Sequence, residues 1–451
     1  MTDFLKQDKR SGKFYYGWLV LAVSTFLIMS VFGVRQSLGV FVTPMEADLN
    51  WTRAEITRIL SFGIFFGAIS FVFIGYLQDR VGARIVISGS LIVLGLSTAA
   101  MGLMSSNPIP CKDCTLHIFS LSIEAEYLTF LILHGFIASV ATGGISFVTI
   151  HTMLSKWFVK RRALANSISA AGASLGAVFF APMSAYIVEM SGWETGFLTL
   201  GIIILFIATP LAVMFMKDSP GGALPDSEKL TDKSGNEITD ISGQYFTDNA
   251  KEALKSAPFW QLSISYVVCG MTTTMMGVHF VPFAEGEGVS RVMAASIFGV
   301  MMAINLFGVL FAGALTQKFS QKNILSVTYA VRGMAYLLLL LIGGTVGLWV
   351  FAVVAGMSWL STPAMTSSIT ADVYGLKNLG AINGLINGAH QIGGAFAVLL
   401  TGELYQLTGS YTLPFALAGI TLIIATYFAF AINEKKYSYK FNSIKQELAP
   451  V

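Results

Sequence analysis

The chain has 451 residues, of which 54% are apolar and only 12% charged, and its mean hydropathy is +0.69. A soluble globular protein carries roughly a quarter charged residues, so a soluble enzyme, a disordered chain and a disulfide-stapled module are excluded. A net charge of +3 provides no basic domain for nucleic acid, and three cysteines make no disulfide or iron–sulfur framework. Twelve stretches are apolar enough for spans of about 20 residues across a bilayer. They lie near 16–43, 56–77, 85–104, 128–153, 163–188, 195–216, 258–283, 294–316, 323–343, 346–370, 380–404 and 412–432. The first is about twice the length of a cleaved leader's apolar core.

Lys and Arg set the expected topology. With the N-terminus inside, tails and inward loops hold 22 of the 28. Both termini are therefore expected to be cytoplasmic, in a plasma or inner membrane. The reading divides the chain into a tail (1–15), a six-helix bundle (16–216) with an inserted outer loop (105–126), and a cytoplasmic linker (217–257). A second bundle (258–433) and a tail (434–451) follow. The expected fold class is an all-α membrane protein, with twelve transmembrane helices in two pseudo-symmetric six-helix bundles.

The halves repeat. At an offset of 238, Pro44 meets Pro282, Arg53 meets Arg291, Gly75 meets Gly313 and Arg84 meets Lys322. Later the offset is 217, and Asn166 meets Asn383, Gly176 meets Gly393 and Gly192 meets Gly409. The difference places an insertion of 21 residues in the first half. A duplicated helical unit is the architecture of a transporter whose halves rock about a site between them.

The second stretch ends in Gly75-Tyr76-Leu77-Gln78-Asp79-Arg80-Val81-Gly82-Ala83-Arg84, with a degraded copy at Gly313-Ala314-Leu315-Thr316-Gln317-Lys318. This motif resembles that of the major facilitator superfamily. A narrower resemblance is to the monocarboxylate transporter branch and its bacterial relatives. It rests on Trp157-Phe158-Val159-Lys160-Arg161-Arg162-Ala163-Leu164-Ala165, on Tyr16-Gly17-Trp18 and on Asn50-Trp51-Thr52-Arg53. Asn166 stands where a Gly is usual. The superfamily resemblance implies that Asp79 faces the start of the eleventh span near 379–381, where unpaired N–H groups favour an anion. It also implies that Arg80 and Arg84 clamp the same interface, with Gly75 and Gly82 in the gate, and that spans one, four, seven and ten line a cavity.

Ionisable groups within a bilayer are costly and usually face a cavity or each other. Arg35 lies 16 residues beyond Leu19, about 24 Å into the first span. Its guanidinium suits a carboxylate. In the eleventh span Asn383, Asn387, His390 and Gln391 fall on one helical face. These five, with His279 near the outer mouth of the seventh span, are the candidate substrate-binding residues. Interhelical hydrogen bonding is the alternative for the stripe. Arg332, His134 and His151 read as structural, and Asn305 is open. Gly172, Gly176, Gly384, Gly388, Gly393 and Gly394 read as packing positions.

The expected function is secondary transport of a small organic anion, a monocarboxylate, by a monomer in the lipid bilayer. No Asp or Glu falls at mid-membrane, so proton coupling would use a histidine or the substrate's own carboxylate. Transport or efflux of neutral or amphipathic compounds is the alternative. A membrane redox or metal protein built on Cys111, Cys114 and His117 is a remote one, with a disulfide, a metal site or free thiols all open for that loop. No catalytic motif, cofactor or resident metal is expected.

Overall fold

The computed structural model describes residues 15–104, 115–118, 121–220, 245 and 249–438. The first span, α1 (Tyr16–Leu49), stops at Asn50, whose φ of 54° is left-handed. The second, α2 (Arg53–Val81), opens on a capping box. Thr52 Oγ1 accepts from the Glu55 N–H and Glu55 Oε2 from the Thr52 N–H, so two otherwise unpaired donors are satisfied. Gly82 turns the chain at φ 91° into α3 (Ala83–Gly102).

A short antiparallel hairpin, β1 (Thr115–Ile118) and β2 (Leu121–Glu124), precedes α4 (Ala125–Trp157). The hairpin is a strand element that the all-helical expectation did not contain; Cys111 and Cys114 lie outside the described residues. Within α4, Leu131–Ala138 is π-helical, and the helix breaks before Ser146 caps its last part, Phe147–Trp157. The hydrogen-bonded run Arg162–Ile203 turns back at Gly192, where φ is 85°. It therefore forms two spans, α5 (162–191) and α6 (193–215).

The second half repeats this plan in α7 (Ala257–Gly286), α8 (Arg291–Leu315), α9 (Gln321–Ile342), α10, α11 (Leu379–Thr408) and α12 (Thr412–Ala431). A single helical turn, Ala250–Ala253, precedes it. The tenth span, α10, is broken into Gly344–Gly356 and Thr362–Tyr374. Nine described helices are long and apolar enough to span on their own. The number is twelve because one of them doubles back at Gly192, α10 is in pieces, and α11 carries the polar stripe. Gly409 (φ 67°) separates α11 from α12, as Gly192 separates α5 from α6.

Apolar side chains gather in two buried clusters, one from Val20 to Met216 that also takes in Val309 of α8, and one from Ala253 to Ile432. Paired glycines show the pseudo-symmetry. A Cβ on Gly176 of α5 would sit 2.2 Å from Met29 O of α1, and one on Gly393 of α11 would sit 2.8 Å from Val267 of α7. A Cβ on Gly75 of α2 would meet Gly380 O of α11 at 2.2 Å, and one on Gly313 of α8 would meet Ser167 of α5 at 2.5 Å. The two halves thus meet along α2–α11 and α5–α8. The bundle end that bears the 216–257 connection is called the linker face, and the opposite end the hairpin face.

Candidate functional site

At the linker face the halves are tied by charge. Asp79, at the end of α2, accepts from the N–H groups of Gly380 (3.0 Å) and Ala381 (2.7 Å). These belong to the first turn of α11, whose unpaired N–H groups carry the positive end of the helix dipole. Gly75, one turn back on α2, allows the close approach.

Arg80 and Arg84 do not join this contact. Arg80 lies over the Tyr76 ring at 4.3 Å and bonds its hydroxyl, because the α2 surface offers an aromatic partner one turn away. Arg84 instead binds within its own half: Nη2 donates to Val213 O (2.6 Å), and its backbone N–H to Asp218 Oδ1 (2.9 Å). Lys322 repeats this arrangement, with Nζ on Phe430 O (2.7 Å) and its N–H on the Glu434 carboxylate. Both bases staple a third helix to the end of the sixth in the same half. Gly82 has the positive φ that the turn needs, and a Cβ there would meet the Asp218 carboxylate at 2.7 Å.

A second tie crosses the halves deeper in. Arg162, opening α5, forms a buried ion pair with Asp372 of α10. Arg162 Nε also donates to Ser155 O (3.3 Å), and Gln321 Nε2 to Asp372 Oδ2 (3.1 Å). Neither Arg162 nor Asp372 was singled out as a site residue. Arg162 sits inside the quoted motif, and Asp372 reads as an ordinary solvated acid near a helix end.

The α11 stripe divides. Asn383 is fully buried and donates to Thr152 Oγ1 of α4 (3.2 Å), so it bonds the two halves together rather than lining an open cavity. Asn387 donates to Asn383 O and accepts from Tyr266 of α7 (3.4 Å). His390 and Gln391 are half-buried, 3.0 Å apart. The His390 ring packs 4.5 Å from that of Tyr266. Below them Cys269 touches Thr362 Oγ1 (3.0 Å) and accepts from Arg332 Nη1 (3.1 Å). Arg332 is wholly buried, and its Nη2 donates to Ser358 O (2.5 Å) and Trp359 O (2.6 Å). These carbonyls are freed by the break in α10, so the break supplies the inward partner that a buried guanidinium requires. Asn305 is also bonded on both sides: its Oδ1 accepts from Ser174 of α5 and its Nδ2 donates to Gly356 O, each at 2.9 Å.

Toward the hairpin face Arg35 is exposed on α1, within electrostatic reach of His134 of α4. His134 lies in the π-helical stretch, a geometry that often marks functional positions. The sequence shows no sign of this neighbour beyond its being a histidine in a span. His279 Nε2 donates to Val398 O (3.2 Å), while Nδ1 faces the Tyr411 hydroxyl at 3.5 Å, so it joins α7 to α11 and α12. Arg35, His279 and His390 lie on the hairpin side of the ties, which Asp79 and Gly75 themselves help to form. Among the described residues no group of three or more His, Cys, Asp or Glu is placed to hold a metal ion.

The family profile described as Major Facilitator Superfamily matches residues 21–398. An uncharacterized MFS-type transporter of Bacillus subtilis (strain 168), YcxA, is 26% identical over 406 residues, covering 88% of this chain and 90% of its own. Monocarboxylate transporter 2 of Homo sapiens is 23% identical over 456 residues, covering 96% and 89%. Monocarboxylate transporter 12 of Rattus norvegicus is 24% identical over 356 residues, covering 75% and 72%. Among solved structures, the proton:xylose symporter XylE superposes with a TM-score of 0.70 at 14% identity over 95% of this chain and 98% of its own. The E. coli fucose:proton symporter FucP gives 0.66 at 15% over 92% and 98%. These relatives are transporters, not enzymes, and the structures share this chain's fold. With its profile match running through both halves, the chain is a multi-pass integral membrane transporter and belongs to the major facilitator superfamily.

Proposed function

We propose that the protein moves a small organic anion, a monocarboxylate, by rocking the bundles 16–216 and 258–433 about a central site. The observation that carries this reading is Arg35, a guanidinium exposed on α1 well inside its span and within electrostatic reach of His134 of α4. A guanidinium offers a carboxylate two parallel hydrogen bonds. His390, Gln391 and Asn387 from α11 contribute polar groups, and His279 stands at the mouth. Resemblance to proteins named monocarboxylate transporters supports the substrate class. The excess of Lys and Arg at the linker face supports that face being cytoplasmic. The conformation then is closed to the cytoplasm, with Asp79 and Arg162–Asp372 as its latches.

Uptake of labelled short monocarboxylates into proteoliposomes, with and without a pH gradient, tests the reading. Wild type should transport them. Arg35→Gln should abolish saturable uptake, and Arg35→Lys should keep transport with weaker affinity, since it keeps charge and loses the planar fork. Wild-type kinetics in Arg35→Gln would put the anion site elsewhere and favour a neutral substrate.

A further inference from the structure

Around the tie of Thr152 to Asn383, the two halves bury polar groups that find no partner. His151 and Ser155 come from α4, Asn166 and, facing Gly313 of α8, Ser167 from α5, and Thr366 and Ser368 from α10. All are at most 1% exposed. Neither ring nitrogen of His151, neither amide atom of Asn166, and none of the four hydroxyls makes a hydrogen bond. The same holds for Asn383 Oδ1. The His151 ring stacks on Phe147 (5.1 Å) and lies within reach of the backbone at Pro363 and Asn166, though outside the distance and angle of a full hydrogen bond. Native proteins leave few such groups, and each wants a reason. Side chains that serve only to join helices would bond each other, as Thr152 and Asn383 do.

Depth supplies the reason. His151 is six residues from the end of α4, Asn166 four from the start of α5, Thr366 eight from the end of α10 and Asn383 four from the start of α11. All lie within about 12 Å of the linker-face helix ends. They line a seam between the halves, inside the Asp79 and Arg162–Asp372 ties. We infer that this seam is a release-side binding site, shut in this conformation, which takes water and the transported solute when α10 and α11 part from α4 and α5. Its groups are uncharged hydrogen-bond donors and acceptors around one imidazole. They fit the oxygens of a small carboxylate or hydroxycarboxylate, a ligand class that rests on the organic-anion reading. The seam also favours opening, because its groups gain partners only in the other state. The ionic ties at its rim oppose it.

Two measurements on the full-length protein test this. In a chain with Cys111, Cys114 and Cys269 replaced by serine, His151→Cys or Thr366→Cys is probed with a membrane-impermeant maleimide applied to the linker face. Both positions should be protected in the closed state. Both should label once Gly75→Val, whose side chain collides with Gly380, bars closure. Protection in both backgrounds would overturn the seam as a passage. This result does not depend on which solute is carried. In vesicles of both orientations, Asn166→Leu and Thr366→Val should raise KM for a labelled monocarboxylate presented at the linker face by about tenfold, the loss of one hydrogen bond. KM from the hairpin face should stay unchanged, and His151→Gln should behave better than His151→Phe. Equal KM effects on both faces, or none, would overturn the binding site. Wild type that moves no carboxylate would instead remove the anion reading, and the maleimide result would still decide the passage.

Discussion

Arg162 and Asp372 stand in different halves of the chain, 210 positions apart, yet form a buried ion pair. Such a pair contributes little net stability, but removing one partner strands a charge and costs about 3–5 kcal/mol. Arg162→Gln and Asp372→Asn should each lower thermal stability in detergent and open the linker face. A double replacement by apolar residues of similar volume should recover much of the stability. Additive losses in the double variant would contradict the pairing.

The Asp79 contact is weaker. A carboxylate on a helix N-terminus is worth about 0.3–1 kcal/mol, or about 2 when partly buried. Asp79→Asn should raise labelling of linker-face cysteines severalfold while leaving the melting temperature nearly unchanged. Identical labelling rates would remove Asp79 as a latch.

Arg332 bonds two carbonyls of a broken helix and one sulfur. An ammonium cannot span all three with the geometry of a guanidinium. Arg332→Lys should destabilise the protein by about 1.5–3 kcal/mol, the worth of a hydrogen bond to a charged group. Arg332→Met should lose more, by leaving the carbonyls of Ser358 and Trp359 unpaired. Stability equal to wild type in either variant would show that the break in α10 holds itself open.

Glu55 lies before the apolar part of α2. Its carboxyl is held below the ordinary range, first by the Thr52 backbone N–H and then by the Thr52 side chain. A depressed carboxylate stabilises the fold above its unfolded pKa and loses that contribution as pH falls through the folded value. Glu55→Gln should therefore lower thermal stability at neutral pH and make little difference under strongly acidic conditions. Thr52→Ala should cost about 0.5–2 kcal/mol at neutral pH. A Glu55→Gln deficit that persists at low pH would contradict the cap.

Twelve spans, two repeats and the polar stripe were legible because each is a pattern along one helix or one offset. Asn383, Asn387 and His390 share a face by spacing alone. What spacing could not tell is which neighbour that face meets. Thr152 claims Asn383, and Tyr266 claims Asn387. Arg332 was legible as a buried cation, while its partners depend on a helix break with no proline at its first residue. Arg80 and Arg84 sit in one motif with Asp79, yet only Asp79 reaches across. The basic side chains went to nearer acceptors: a tyrosine one turn away and the Val213 carbonyl near the end of α6. Of the seam residues, Asn383 read as substrate-binding, His151 as structural and Asn166 as a departure from a motif, while Ser155, Ser167, Thr366 and Ser368 gave no signal, since being unpaired is a property of the closed assembly and not of any segment.

The matched staples from Arg84 to Val213 and Asp218, and from Lys322 to Phe430 and Glu434, have a consequence for the chain's continuity. Each bundle fastens its own last helix without using residues 221–244 of the stretch that joins it to the other. A gene cut between Gly221 and Tyr245 would leave every one of these bonds on one fragment or the other. The two fragments, translated separately, would need only to meet in the same bilayer to rebuild a working carrier.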